Sequence, residues 1–166
     1  MGQHMNKGSH PESPRGGGLS AEGLALMRSG TQELGFSIEG HLAQFDQLLR
    51  LLQEGNSKMN LTALKSESDI VIKHFLDSLT CLRGGYLDGS LSIVDLGTGA
   101  GFPSLPLAIV RSDSHHEAHF TPIDSTRKKI EFVKATAEAL LLSNVTPVVG
   151  RAETLGQQVE YRAQFD

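Results

Sequence analysis

The block Asp95-Leu-Gly-Thr-Gly-Ala-Gly101 constrains this chain more than any other stretch. It follows a short apolar run, Leu91 to Leu96, which suits a buried strand, and it precedes a segment of helical character, Pro103 to Val110. The block therefore reads as a loop between a strand and a helix. Gly97, Gly99 and Gly101 permit positive φ and carry no side chain, so a ligand can approach the backbone and the helix N-terminus. A dinucleotide fingerprint needs its third glycine where Phe102 stands, so the pyrophosphate-binding pattern fails by one residue. The Gly-x-Gly-x-Gly form suits a ligand without a bridging diphosphate, which favours S-adenosylmethionine over NAD. A plain tight turn between strand and helix is the competing reading.

A second feature supports a nucleoside ligand. Asp124 closes the next apolar segment, Ala118 to Asp124, 23 residues beyond Gly101. A carboxylate there can accept two hydrogen bonds from ribose hydroxyls, and it can equally cap the helix predicted over Ser125 to Leu142. A third strand is predicted from Thr146 to Gly150, with Glu153 just beyond it as a candidate adenine neighbour. Strand, helix, strand, helix, strand in this order predicts a parallel sheet with right-handed crossovers. Pro122 and Pro147 weaken the second and third strands, because each removes a ladder donor. Pro106 must lie in the first turn of its helix, where a missing donor is harmless.

The first half is helical. Residues 1–18, rich in Gly and Pro and without apolar periodicity, read as a disordered leader or tag. Residues 19–84 read as an N-terminal helical region and 85–166 as the first half of a Rossmann-like domain. Leu19 to Leu34 forms one helix, with Ser20 as N-cap. In the next, Ile38, Leu42, Phe45, Leu48, Leu49 and Leu52 form an apolar stripe behind a Ser37 cap, and Gly55 and Asn56 break the pattern. A third helix runs from about Glu67 to Leu82, with Ser66 and Asp69 as a capping pair.

Composition excludes several classes. No apolar run approaches the roughly 18 residues of a membrane span, so no membrane partner is expected. Cys81 is the single cysteine, which rules out an intrachain disulfide and a cysteine-rich zinc site and points to a reducing, cytoplasmic setting. The formal charge of −4 argues against nucleic-acid binding by bulk charge. An RNA contact needs a local patch.

Five segments in order carry a family pattern: Asn60-Leu-Thr-Ala63, Lys73-His-Phe-Leu-Asp-Ser-Leu79, Val94 to Ala108, Ile123-Asp-Ser-Thr-Arg-Lys-Lys129 and Gly150-Arg-Ala-Glu153. Together they resemble the guanine-N7 methyltransferases of small-subunit ribosomal RNA, RsmG or glucose-inhibited division protein B, over about residues 19–166. The resemblance implies a class I S-adenosylmethionine-dependent methyltransferase fold, α/β and Rossmann-like, with helices in front. It also implies methylation of N7 of a guanine in the 16S rRNA of the small ribosomal subunit. The cofactor candidates are Gly97, Gly99, Gly101 and Phe102 in the first loop, Asp124, Ser125 and Thr126 after the second strand, and Ala152 with Glu153 after the third. Arg127, Lys128, Lys129 and His74 are the candidate RNA contacts.

This chain departs from the family pattern at Gly55, where Trp is frequent, at Ser104, where Gly is frequent, and at Pro122. Phe165-Asp166 resembles the start of a fourth strand that belongs beside the first, so the sheet is expected to stop after three strands and leave the edge of Leu91 to Leu96 open. A fragment with reduced catalytic competence is the expectation. A methyltransferase for another substrate would share the glycine loop and Asp124 but has no reason to carry the Asn60 and Lys73 segments; a non-catalytic binding fragment is the other class.

The remaining clusters divide between structure and chemistry. Cys81 is assigned to core packing rather than to nucleophilic attack, and no catalytic acid, base or nucleophile stands out. His74 and Asp77, three apart on one helix face, either share a helix-stabilising hydrogen bond, brace the cofactor loop or contact RNA. Asn60 and Thr62 either order the turn between helices or touch RNA. His115, His116, His119 and Glu117 fall in a polar turn without a metal motif.

Overall fold

The apolar stripe of the first half dictates where everything else packs. In the computed structural model, which describes residues 17–89, 91–112 and 118–166, α1 (Ala21–Glu33) starts at Ser20, whose side chain accepts the Gly23 N–H. A 3-10 turn (Glu39–His41) leads into α2 (Leu42–Met59), where Phe45, Leu48, Leu49 and Leu52 recur at helical spacing and are fully buried. The expected start at Ser37 and stop at Gly55 and Asn56 are both overturned. Ser37 Oγ meets the Glu39 N–H at 3.5 Å and so opens the 3-10 turn, not the helix. Gly55 is buried where a Cβ would come within 2.7 Å of Phe132, so its role is close helix approach. The helix ends instead at Asn60, in the left-handed region at φ 51°.

The third helical stretch has the expected extent but not a single pitch. Ser66 accepts the Asp69 N–H and caps α3 (Glu67–Ile70), which passes into a π segment (Val71–Leu76), then α4 (Asp77–Leu79) and a 3-10 turn (Thr80–Gly85). The wider π turn lets Ile70 and Phe75, five apart, share the buried face. Phe75 meets Phe45 edge to face at 5.3 Å between centroids. No residue of the closing 3-10 turn is buried, so Cys81 is exposed and its assignment to the core fails.

Among the described residues the second half forms a three-stranded parallel sheet in the order β1-β2-β3, from β1 (Ser92–Leu96), β2 (His119–Asp124) and β3 (Val148–Val149). Helix α5 (Ser104–Val110) connects the first pair and α6 (Arg127–Ala139) the second; α7 (Ala152–Leu155) follows β3. β1 is half-buried rather than buried, because only one of its edges is laddered and Leu96 remains 60% exposed. At its start, the Asp166 N–H donates to the Ser92 carbonyl at 3.0 Å.

β2 survives Pro122 while β3 shrinks, and the register explains both. The His119 N–H donates to Leu91 and the Phe120 N–H to Asn144, so by alternation the donor that Pro122 lacks faces β3, and β2 keeps its full ladder with β1. Ile123 pairs with Val148, which sets Pro122 opposite Pro147; pairing resumes before them only as a single bridge, Phe120 with Val145. Helical region and sheet share one contiguous core, from Met27 through Phe45, Phe75 and Leu105 to Phe120, Val133 and Leu142.

Candidate functional site

The carboxyl ends of β1 and β2 are stitched together by backbone. The Gly97 and Thr98 N–H groups both donate to the Ile123 carbonyl, at 2.8 and 3.0 Å, which sets the glycine loop beside Asp124. Asp124 then bonds the loop itself: one carboxylate oxygen accepts the Gly99 N–H at 3.2 Å, the other accepts the Thr126 N–H at 2.8 Å, and Lys129 Nζ lies 3.7 Å away. Burial alone would raise this carboxyl, but the Thr126 bonds, Lys129 and the Gly99 N–H outweigh it and hold it below the usual carboxylate range. Asp124 is therefore ionised at neutral pH. A carboxylate has about four acceptor directions and two are used here, so it retains capacity for a pair of hydroxyl donors.

The three glycines divide by what lies above them. Gly97 and Gly99, at φ +79° and +60°, have nothing closer than 3.9 Å to an added Cβ, so the space over them is open. Gly101, at φ +95°, faces inward, where a Cβ would meet Leu105 at 2.4 Å. It serves packing and lies away from the open side of the loop.

A cavity of about 390 Å³ opens at this end of the sheet, lined by Gly97, Asp124, Ser125, Ala152 and Glu153 over a floor that includes Leu96 and Ile123. Five of the cofactor candidates thus meet in one place. Thr126 contributes its N–H to Asp124 from the rim, and Phe102 belongs to the opposite side of the loop. Arg151 also lines the cavity without having been singled out; its position inside the Gly150 to Glu153 segment was the available signal. Beneath the loop, burial pushes the Asp95 carboxyl above its ordinary range, against the hydroxyls of Thr98 and Ser104, the latter donating at 2.8 Å.

On the loop's other side, His74 stacks on Phe102 at 4.4 Å between centroids and 8° between planes. Its Nε2 pairs with Thr62 Oγ1 at 2.8 Å, so the alternative of a His74–Asp77 hydrogen bond is replaced by a brace on the glycine loop. Burial lowers the His74 pKa although Asp77 opposes it, which keeps the ring neutral at pH 7. Thr62 also orders the turn: its N–H donates to Asn56 Oδ1 and its Oγ1 accepts the Leu64 N–H. Arg127 and Lys128 are exposed, whereas Lys129 turns toward Asp124. His119 Nε2 pairs with Thr146 Oγ1; His115, His116 and Glu117 lie outside the described residues. Among the described residues no group of three His, Cys, Asp or Glu side chains is placed to hold a metal, and no helix is long and apolar enough to cross a membrane.

The family described as GidB, rRNA small subunit methyltransferase G, matches residues 41–166. A Deinococcus deserti protein named ribosomal RNA small subunit methyltransferase G is 62% identical over 148 residues, covering 89% of this chain and 59% of the relative. Its namesake from Deinococcus radiodurans is 59% identical over 148 residues, and that from Alkaliphilus metalliredigens 42%. The chain spans 57–59% of the length of these relatives.

Proposed function

Because the chain belongs to the GidB family of small-subunit rRNA methyltransferases, we propose that it supplies the cofactor-binding part of an S-adenosylmethionine-dependent enzyme that methylates N7 of a guanine in 16S rRNA. The observation that carries the proposal is the bond from Gly99 to Asp124, which joins an open glycine loop to an ionised, underused carboxylate at the mouth of a parallel sheet. Asp124 would take the ribose hydroxyls, Gly97 and Gly99 would let the cofactor lie on bare backbone, and Ser125, Ala152 and Glu153 would flank the adenine. Gly101, Phe102 and Thr126 would shape this site from behind: Gly101 by packing, Phe102 by its stack with His74, and Thr126 by holding Asp124. The cofactor supplies an electrophilic methyl group on a sulfonium.

Guanine N7 carries an in-plane lone pair, so no proton needs removal before attack. This fits a site without an evident general base. The protein's contribution is then mainly alignment, an effect worth up to roughly 7–11 kcal/mol in well-oriented systems. Arg127 and Lys128, exposed at the start of α6 near the Asp124 cavity, would meet RNA phosphates with a salt-dependent affinity.

Equilibrium binding of labelled S-adenosylmethionine tests the cofactor assignment. Binding by the chain, or by one extended to the length of its relatives, and its weakening in Asp124→Ala are expected; absence of binding in both would refute it. Methyl transfer by the extended chain to 30S subunits, mapped to a base, tests the substrate. Label confined to protein or small molecules would reject RNA.

A further inference from the structure

The glycine loop has a second cavity on its far side, of about 440 Å³, which the cofactor assignment leaves unused. One wall is the helical stretch that carries Lys73, His74 and Asp77; the other is Thr98, Gly99 and Phe102 of the loop. The two cavities therefore share the loop as their common wall. A methyl donor lying over Gly97 and Gly99 would have its reactive end between them, which makes the second cavity the place for the acceptor.

Its polar groups are suited to one base. Asp77 is exposed on the helical wall, and its carboxylate has no hydrogen bond or ion pair among the described residues; its backbone N–H donates within the helix and its carbonyl accepts from the Thr80 N–H and Oγ1, so only the carboxylate is open. An ionised carboxylate is acceptor-only. Of the purines, guanine presents two adjacent donors on its Watson–Crick edge, N1–H and the 2-amino group, whereas adenine presents an acceptor at N1. Enzymes that modify a base read that edge after extruding the base from the helix. His74 makes no hydrogen bond to the Asp77 carboxylate: its Nε2 pairs with Thr62 and its ring is stacked on Phe102.

We propose that Asp77 reads the N1–H and 2-amino group of the target guanine in the cavity between the helical wall and the glycine loop, and so turns N7 toward the methyl donor. This rests on the methyltransferase reading above and adds the acceptor subsite to it. N7 lies on the side of the purine away from the N1 and 2-amino edge, so a guanine held by Asp77 from the helical wall faces the loop with N7. In the transfer, the N7 lone pair forms the new N–C bond, the C–S bond breaks with its electrons going to sulfur, and the positive charge passes from sulfur to the purine. No proton moves. The growing purine charge makes N1–H and the 2-amino group stronger donors, so the Asp77 contact strengthens in the transition state.

The test uses the 15N-labelled chain saturated with S-adenosylhomocysteine and titrated with GMP, IMP, which lacks the 2-amino group, and AMP. GMP is expected to shift the amides of His74, Asp77, Thr98 and Phe102 and to bind about five- to tenfold more tightly than IMP, with AMP weaker still. Asp77→Asn, on an exposed residue and with folding checked by circular dichroism, should bring GMP and IMP to equal affinity while leaving S-adenosylhomocysteine affinity unchanged. A GMP preference that survives Asp77→Asn, shifts confined to other surfaces, or no preference among the three nucleotides would each overturn the proposal. Failure of S-adenosylhomocysteine to bind would instead strike the cofactor reading, and the nucleotide titration run without it still reports on Asp77.

Discussion

The interior that helices α2 to α4 share with α5 and the open end of the sheet use the same residue types to opposite ends. In the first, Phe45, Leu49, Leu52, Phe75 and Leu105 lose all exposure to solvent. At the second, Leu96 and Val149 keep 60% and 36% of theirs, and the backbone between them is glycine and carboxylate-bonded turn. Burial of apolar area contributes about 25 cal/mol per Å², so the stability of this chain resides in the first region. The second region gives up that gain and keeps open backbone, free acceptors and space. Substitutions should therefore separate: those in the interior unfold the chain, and those at the open end alter binding first.

Phe75→Ala should have the largest effect. The ring touches Phe45 and sits near Phe102, at 6.1 Å between centroids, so its removal leaves a cavity that joins the helical core to the glycine loop. A loss of about 3–5 kcal/mol in urea unfolding is expected. Such a loss is a large part of an ordinary domain's stability. Gly101→Ala comes next: φ +95° disfavours any side chain, and the new methyl would press on Leu105 at 2.4 Å. The combined strain should cost about 2–4 kcal/mol. Gly97→Ala sharpens the contrast. Its φ of +79° is also unfavourable, yet the space above it is empty, so a cost of about 1–2 kcal/mol is expected together with a loss of S-adenosylmethionine affinity larger than that strain explains. Equal effects of the two glycine substitutions on stability and on binding would erase the distinction between packing and ligand glycines.

That distinction marks where the sequence stops being legible. The spacing of Gly97, Gly99 and Asp124 pointed to the open end of the sheet, where the loop and the strand end do meet, because loop, turn and strand end are local features with local residue requirements. The order of strands followed from their alternation with helices. The different role of Gly101 was hidden, since it depends on Leu105 and Val133 meeting it across the fold. For His74 the brace on the loop was one of three readings left open, and the helical period could not choose among them: the π segment shifts the phase of the helix, and a five-residue step between Ile70 and Phe75 does not belong to that period. The shortening of β3 needed the register as well, because two prolines are far more disruptive when they face one another than when each is judged in its own strand.

A smaller effect tests the electrostatic side of the comparison. Asp95 lies under the loop rather than at its mouth, and burial holds its carboxyl above the ordinary range, the reverse of Asp124. Between the unfolded and folded pKa values the folded chain holds more protons, so stability falls as pH rises through that window and the loss is complete above the folded value. Asp95→Asn removes this titration while leaving an acceptor for the Ser104 hydroxyl. It should stabilise the chain modestly at neutral pH, by less than the glycine penalties, and the gain should vanish as pH falls below the usual carboxylate range. Denaturation midpoints across pH check the sign; a gain that grows toward acid would show that Asp95 is held ionised.

Leu96→Thr should do least to stability, and for that reason it bears most directly on the purpose of the open end. A leucine in β1 that was merely structural would cost several kcal/mol to shorten, as its counterparts in α2 would. Leu96 is 60% exposed and a β-branched replacement suits its strand, so a change within about 0.5 kcal/mol is expected. Yet Leu96 forms part of the cavity floor beside Gly97 and Asp124, where an apolar surface would contact the cofactor. Isothermal titration with S-adenosylmethionine should accordingly show weaker binding in a protein whose unfolding midpoint has not moved. If midpoint and affinity fell together, the leucine would belong to the interior after all, and the division between the two regions would have to be drawn at the strand end rather than through it.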